Sequence, residues 1–439
     1  MKDKRFVAPV MSVLIVLMLL GCAKKTEYNI TDIANVPGSF PVNFALYTTK
    51  TYQFVAYYDT SHCMTLASKG LGEEDWKHVR LESKVGWDSH NYLSLAVDEN
   101  NIIHLVGNMH SSPLVYFRST RPLDIHSMQP IHSMLGKDED VTTYPEFLQG
   151  DDGQLLFHYR YGRSGDGYEV YNLWDAQKQT WSRLLDKPLI DGEGKMNAYM
   201  QGPLLGPDGR YHLLWVWRDT PDCATNHTLS YARSQNLQDW ESIRGEKIQL
   251  PITISDSVLQ VDAIPIHGGL LNIGIKIGFD CNNKVMAGYH KYDKKGNTQL
   301  YVAGFDSGVW NRTQLTNWDY RWDFKGWGTI QNDLLIGAPR CKNGVMSMDY
   351  HHVKYGDGSV QFDPAFKVID IVPYLPDYPL FVDSVASDSP GYIANKVFDN
   401  GHPTGGKKYL LRWETKQANG DMKPDKNVES SVLQIVEYE

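Results

Sequence analysis

The chain has 439 residues, a formal charge of −9 and many aromatics, among them 26 Tyr and 12 Trp. The acidic balance argues against a nucleic-acid partner, which needs a basic face, and obliges any anionic ligand to find a local cationic pocket. The length allows a large core in one or two domains, and five scattered cysteines are too few for a disulfide framework.

At the start of the chain, Lys2, Lys4 and Arg5 form a basic region. Phe6 to Leu20 follows as an apolar run too short and too early for an ordinary spanning helix. It ends in Leu19-Leu20-Gly21-Cys22, which resembles a bacterial lipobox. Residues 1–21 are therefore expected to be a lipoprotein signal peptide, with Cys22 the lipidated first residue of the mature chain. An ordinary cleaved signal or an N-terminal anchor is the alternative. Ala23-Lys24-Lys25 offers no inner-membrane retention aspartate. The resemblance thus implies an outer-membrane lipoprotein, at the cell surface or on the periplasmic face, that meets the membrane through its lipid only. Residues 22–42 read as a lipidated tether and 43–439 as one domain, expected to be a monomer.

From there one pattern recurs: an alternating strand, a tight turn of Asp, Asn or Gly, and a second strand rich in apolar residues. It is seen in YLSLAVDENNIIHLVGNMH, YPEFLQGDDGQLLFHYRYG and AYMQGPLLGPDGRYHLLWVWRDT, and more loosely in LQVDAIPIHGGLLNIGIKIGFD and LLIGAPRCKNGVMSMDYHH. A third strand often follows, as in PLVYFRST, TLSYARS and VMAGYHKYD, and Trp76, Trp181, Trp240 and Trp310 close units. The period is roughly 50 to 65 residues, in the range of propellers and solenoids. With no helices to cover a parallel sheet, the expected fold is all-β, a β-propeller of about seven blades. A pair of β-sandwiches is the rival, but no Pro- or Ser-rich linker divides the chain.

In a propeller the start of a blade's first strand and the end of its second lie on one face, near the axis. That geometry gathers His90 and His110 from one hairpin, Tyr144 with Arg160 and Tyr161 from the next, and Asn197, Tyr199, Arg218 and Asp219 from a third. Two His, several Tyr and two Arg suit β-elimination at a uronic acid. A guanidinium grips the carboxylate and offsets its charge. A neutral imidazole can take the C5 proton, and a tyrosine hydroxyl can protonate the departing O4; a tyrosine base would need its ordinary value of about 10 depressed by cations. A glycoside hydrolase would instead need two convergent carboxyl groups. Asp88, Asp219, Asp256 and Asp280 give no evident pair, and SQNLQDW (residues 234–240) is only a degenerate Asp-box. His104 and His212, early in second strands, read as core histidines.

At these residues the sequence also resembles a family. SHN (89–91), NMH (108–110), YPEF (144–147), YRYGRSGDG (159–167), NAY (197–199), WVWRDT (215–220), NHTLSYA (226–232) and YHKYD (289–293) are similar to the BNR-repeat propellers. That family includes bacterial ulvan lyases, polysaccharide lyases with a seven-bladed propeller. The resemblance implies that His90 and His110 are the active-site histidines, Tyr144 the catalytic tyrosine and Arg160 the carboxylate-neutralising arginine. Asn91, Tyr161, Tyr199 and Arg218 would contact substrate. The implied substrate is an anionic, sulfated rhamnose–uronic acid polysaccharide, cleaved to leave a 4,5-unsaturated uronate, with no cofactor needed for catalysis. The alternatives are a non-catalytic glycan-binding lipoprotein or a propeller glycoside hydrolase.

The family also implies that a structural zinc can occur. Cys223 and His227 form a C-x-x-x-H arrangement, and Cys281, expected on the same rim, could join them, with His290 a possible fourth ligand. A Cys223–Cys281 disulfide or two unrelated thiols are the other readings. Cys341 is expected on the opposite face. Tyr320, Arg321, Trp322 and Trp327 are candidates for a further wall of the cleft or for packing between blades.

Overall fold

A computed structural model describes residues 27–39, 41–150, 153–387, 390–424 and 428–439. The segment expected to be a signal peptide, with Cys22, lies outside the described residues. The fold is all-β. Helix is confined, among the described residues, to single 3-10 turns such as Ile125–Ser127 and Cys223–Thr225.

Seven antiparallel sheets of four or five strands follow one another along the chain. The first runs Ala45–Thr48, Tyr52–Tyr58, Cys63–Gly70 and Lys77–Lys84, and the second Leu93–Val97, Ile103–Gly107, Tyr116–Ser119 and Met128–Ile131. The third is built on Thr142–Gln149, Leu155–Arg163, Asp166–Asp175 and Thr180–Arg183, and the fourth on Asn197–Leu205, Tyr211–Arg218, Asn226–Ser234 and Trp240–Glu241. Neighbouring sheets touch through their early strands. Ala45–Thr48 meets Leu93–Val97, which meets Thr142–Gln149; Asn197–Leu205 meets Ile275–Phe279; and Tyr392–Phe398 of the last sheet meets Ala45–Thr48 of the first.

Composition follows this layering. Second strands lie between neighbouring sheets and read as near-continuous apolar runs: every residue of Ile103–Gly107 and of Tyr211–Arg218 is buried. An outer strand such as Lys77–Lys84 buries little and is mostly charged or polar. Trp181, Trp240 and Trp310 each lie buried in the fourth strand of their sheet, as closing residues should. A polar device is repeated with them. His104 bonds the Tyr116 hydroxyl at 2.7 Å and pairs with Asp98, and His212 bonds Tyr231 at 2.6 Å and Asp208 at 2.9 Å. Each His is the second residue of a second strand, its Asp in the preceding turn and its Tyr on the third strand. Both are core histidines with satisfied rings.

Three expectations need correction. The stretch 22–42 is not all tether. Tyr28–Pro37 is a strand that pairs antiparallel with Ser430–Tyr438, from Tyr28 opposite Tyr438 to Pro37 opposite Ser430. The ends of the chain thereby complete the seventh sheet, with Lys408–Lys416 and Tyr392–Phe398 inside it.

Second, the fifth repeat was misread by one strand. Gln260–Asp262 pairs with Asn226–Ser234 of the fourth sheet, so Ile275–Phe279 is the first strand of the fifth and Val285–Tyr292 its second. Cys281 therefore sits in the turn between first and second strands, at the opposite end from a second strand's end. Cys341 lies beside it, in the corresponding hairpin of Arg340–Lys342 and Val345–His352, and the two form a disulfide with Cα atoms 5.0 Å apart. Gly278 allows this approach, since a Cβ there would lie 1.7 Å from the Pro339 carbonyl oxygen.

Third, the zinc set does not assemble. Cys281 is spent on Cys341, Cys223 is buried with a free thiol, and His227 bonds Asp219 at 2.9 Å. Cys223, His227 and Cys281 thus fit neither a zinc ion nor a Cys223–Cys281 disulfide.

A chain lacking residues 28–37 leaves Ser430–Tyr438 as an open sheet edge, a template for association. The deletion is expected to lower the thermal midpoint by about 1–4 °C, the shift that ~1–3 kcal/mol produces in a domain of about 400 residues. Scanning calorimetry checks it, and an unchanged midpoint would show that the strand does not hold the fold together.

Candidate active site

His90 lies in the segment that leads into Leu93–Val97. His110 does not end the Ile103–Gly107 strand but opens a short strand, His110–Ser112, that crosses to pair with Thr142–Gln149 of the third sheet. That crossing carries His110 into register with Thr143, while Thr143 also faces Arg160. Four residues anticipated from the sequence therefore converge.

The two imidazoles stack with centroids 4.4 Å apart, and both turn Nδ1 toward one carboxylate, that of Asp88. Asp88 also accepts the backbone N–H of His90 at 2.9 Å, which fixes the turn. A second carboxylate, Asp421, comes within 3.3 Å of the same His90 nitrogen. Burial opposes charge on His90, but the hydrogen bonds and charges of Asp421 and Asp88 outweigh it and hold the imidazole at about 9. Burial likewise opposes ionisation of Asp88, yet its bonds to His110 and His90 keep it far below the usual carboxylate range. His90 is thus a cation at neutral pH, and each ring is left with Nε2 for a substrate.

Tyr144 faces both rings, 6.2 Å from His90 and 6.3 Å from His110. It occupies a bulge where the pairing of Thr142–Gln149 with Leu155–Arg163 shifts, and its φ of 56° is left-handed. A non-glycine residue in that region costs on the order of 1 kcal/mol or more, and bulges re-aim side chains. Here the bulge points the phenol at the histidines.

Arg160 is 1% exposed, with its guanidinium 4.9 Å from the Tyr144 ring and 5.7 Å from the Tyr199 ring. Nη1 donates to the Tyr199 hydroxyl at 3.3 Å, while Nε and Nη2 have no protein partner. Arg218 donates to the same hydroxyl at 3.2 Å and is held from behind by Asn226 and Asn272. Burial raises the Tyr199 hydroxyl, but Arg218 and Arg160 together lower it below the ordinary tyrosine value, with Ser164 helping at 2.7 Å. Tyr144, whose hydroxyl accepts from neither guanidinium among the described residues, is pushed the other way. Burial and the neighbouring Tyr199 charge raise it to about 12.

One anticipated contact is not brought to this cluster. The Tyr161 ring packs on Tyr168 and its hydroxyl bonds Asp140, as strand alternation requires of the neighbour of Arg160. Asn91, next to His90, accepts the Tyr58 hydroxyl on its backbone carbonyl at 2.6 Å. Asp421 and Ser164 were missed. Asp88 was considered only as a hydrolase carboxyl, although its place two residues before His90 is a local signal.

Among the described residues, Asp88, His90 and His110 are the one group of three whose donor atoms could hold a metal, all lying within 4.8 Å. In the structure the same facing atoms are joined by the hydrogen bonds of Asp88 to the two rings. The other carboxylates considered from the sequence are occupied elsewhere: Asp219 by His227, Asp256 by a backbone N–H of its own turn, and Asp280 by backbone N–H groups of the turn that carries Cys281 to the opposite face.

Solved structures share this architecture. The polysaccharide lyase Uly1 superposes with a TM-score of 0.58 at 16% identity, covering 91% of this chain and 92% of that one. A PL25 ulvan lyase bound to -[GlcA(1-4)Rha3S]- gives 0.57 at 12% identity, over 92% and 95%. The chain has the fold of these polysaccharide lyases. The model of the BNR repeat-containing family matches residues 52–318, more than half of the chain, and the protein belongs to that family. Among curated relatives, the short ulvan lyase isoform of Alteromonas sp. (strain LOR) is 28% identical over 125 residues, which is 26% of this chain and 24% of that protein. The long isoform of Pseudoalteromonas sp. (strain PLSV) is 27% identical over 125 residues, 26% of this chain and 12% of its own. The match therefore spans a quarter or less of those relatives.

The raised His90 fixes a pH dependence. Its contribution to stability is complete below the unfolded value of about 6.5 and is lost as pH rises through about 9. Asp88→Asn is expected to remove on the order of 1–3 kcal/mol of stability at pH 6 and much less at pH 10. Denaturant melts at both pH values check this; equal losses at both would contradict the charged pair.

Proposed function

We propose that the protein is a polysaccharide lyase that cleaves an ulvan-like, sulfated rhamnose–uronic acid polymer by β-elimination. The observation that carries this reading is Arg160, buried with Nε and Nη2 unpartnered beside a charged His90 and a protonated Tyr144. An arginine does not stay buried with two open N–H groups without an acceptor, and a uronate carboxylate supplies one. The fold shared with the polysaccharide lyases supports the same class.

Arg160 and the cationic His90 offset the carboxylate charge, so that the C5 proton becomes removable. His90 cannot itself be the base while it holds its proton. His110, which shares Asp88 but not Asp421, takes the C5 proton through Nε2. The C5–H pair forms the C4–C5 double bond, the C4–O4 bond breaks, and O4 receives the Tyr144 proton. The high value of Tyr144 suits a donor. A second base is favoured by Tyr199, which two guanidiniums lower, and glucuronate and iduronate present their C5 protons on opposite faces. Every charge and proton in this scheme comes from side chains.

The seven sheets are the blades of one β-propeller, a reading supported by their succession and by the packing of the last against the first. The lipobox-like Leu19-Leu20-Gly21-Cys22 supports a monomer tethered to the outer membrane through lipid. A hydrolase is disfavoured. The carboxylates that bond the histidines are both held low, Asp88 by His110 and His90 and Asp421 by His90, whereas a hydrolase acid at that place would have to be raised.

Incubation with ulvan is expected to raise ultraviolet absorbance from the new double bond. Arg160→Ala should lower kcat/KM by about 10²–10³, the scale of one lost charge-stabilising donor. A flat trace from folded wild type on ulvan and other uronate polymers would favour the glycan-binding lipoprotein instead. On defined linkages, His110→Ala and Tyr199→Phe should each impair one uronate epimer more than the other. Equal losses on both would remove the two-base scheme.

A further inference from the structure

The site is closed from the side by a part of the chain far away in sequence. Asp421 lies between the Lys408–Lys416 and Ser430–Tyr438 strands of the last sheet, mostly buried, with a left-handed φ of 61°. Its Oδ1 accepts from the Ser89 backbone at 3.1 Å, from the Ser89 hydroxyl at 2.8 Å and from the Thr329 hydroxyl at 3.0 Å. Its Oδ2 accepts the Thr329 backbone N–H at 3.0 Å and faces His90 Nδ1 at 3.3 Å. The Ser89 and Thr329 hydroxyls also lie against each other, so that one of them donates either to its neighbour or to the carboxylate, and Gly420 N–H reaches the Thr329 carbonyl at 3.2 Å.

Thr329 ends a short strap whose other end is held at the opposite side of the cluster. Gly326 N–H donates to Asp222 Oδ1 at 2.8 Å, and Cys223 N–H donates to the Gly326 carbonyl at 2.8 Å, a few residues past Arg218. Between the anchors stands Trp327, 77% exposed and flanked by Gly326 and Gly328, both with positive φ. A strap bound at Asp222 and at Ser89 runs alongside the His90–Arg218 cluster, and its one large side chain is offered to solvent. A buried latch that holds out an indole is unusual in a soluble surface, where exposure of Trp costs apolar hydration. The flat apolar face of a pyranose is a matching occupant.

We propose that Asp421 is a positioning residue that fixes the His90 ring and the Gly326–Thr329 strap together, and that Trp327 on this strap is a stacking subsite for a sugar next to the cleaved linkage. The proposal deepens the lyase reading and rests on it for the sugar; the latch itself stands on the hydrogen bonds alone. The charged and titratable groups that face His90 are Asp88 from its own segment, Asp421 from the last sheet, and His110 and Tyr144 from the third sheet's entrance.

The test uses the full chain with Asp421→Asn, a residue that tolerates left-handed φ. His90 is followed by NMR titration, which needs no activity. Loss of one carboxylate should move its midpoint down by about 1 unit, and the matching limb of kcat/KM on ulvan should move with it. Ser89→Ala, which keeps the carboxylate but loosens it, should shift the midpoint the same way by less, and serves if Asp421→Asn does not fold. Trp327→Ala should raise Kd for a uronate-containing oligosaccharide about tenfold, the scale of one lost aromatic contact, with the His90 midpoint unmoved. An unmoved midpoint in both latch variants overturns the positioning role, and unchanged Kd in Trp327→Ala overturns the subsite. Wild type that shows the His90 shift yet produces no double bond would reject the lyase reading and leave the latch standing.

Discussion

The pairing of the chain's two ends is the constraint on which the site depends. Tyr28–Pro37 completes the sheet of Ser430–Tyr438, and Asp421 hangs from the connection into that last strand. Sheets touch through their early strands, and Tyr392–Phe398 of the last sheet meets Ala45–Thr48 of the first, so rim residues far apart in sequence are held relative to one another. The pairing also covers Ser430–Tyr438 and leaves Tyr28–Pro37 as the outer edge of that sheet.

Inside that ring, a chain of net charge −9 concentrates two guanidiniums and a charged imidazole in one place. The arrangement is sustained by carboxylates placed behind the cations rather than among them. Asp88 and Asp421 lie on the Nδ1 side of His90, and Asn226 and Asn272 brace Arg218. The faces left over are Nε2 of the two histidines and the unpartnered Nε and Nη2 of Arg160, with His90 and Arg160 carrying the positive charge. In a buried site such preorganised charge is worth far more than at a wet surface. The same logic divides the tyrosines. Tyr199 between two arginines is lowered, and Tyr144, aimed at the histidines by its bulge, is raised. Environments that push like groups apart are the usual mark of acid and base assignments.

What could be read from the sequence was what repeats locally. Alternation and Asp/Gly turns marked the hairpins, the closing tryptophans marked fourth strands, and the positions of His104 and His212 within their hairpins identified them as core. His90, His110, Tyr144, Arg160, Tyr199 and Arg218 were found together because strand ends on one rim must converge. The fifth repeat failed because its first strand is preceded by another short extended segment, Gln260–Asp262, with the same apolar pattern. Periodicity alone cannot say which of two such segments begins a sheet. That one-strand error put Cys281 on the wrong face and suggested a zinc set, whereas the fold joins it to Cys341.

The sequence by itself therefore determined the all-β class, the hairpin period and most of the chemical inventory of the rim, because these depend on residues a few positions apart. Only the tertiary structure decided that Tyr28–Pro37 belongs to the last sheet, that Cys281 meets Cys341, and that Asp421 stands behind His90. Those contacts join residues from 60 to about 400 positions apart. No local pattern encodes them, since they arise from how separate sheets pack against one another.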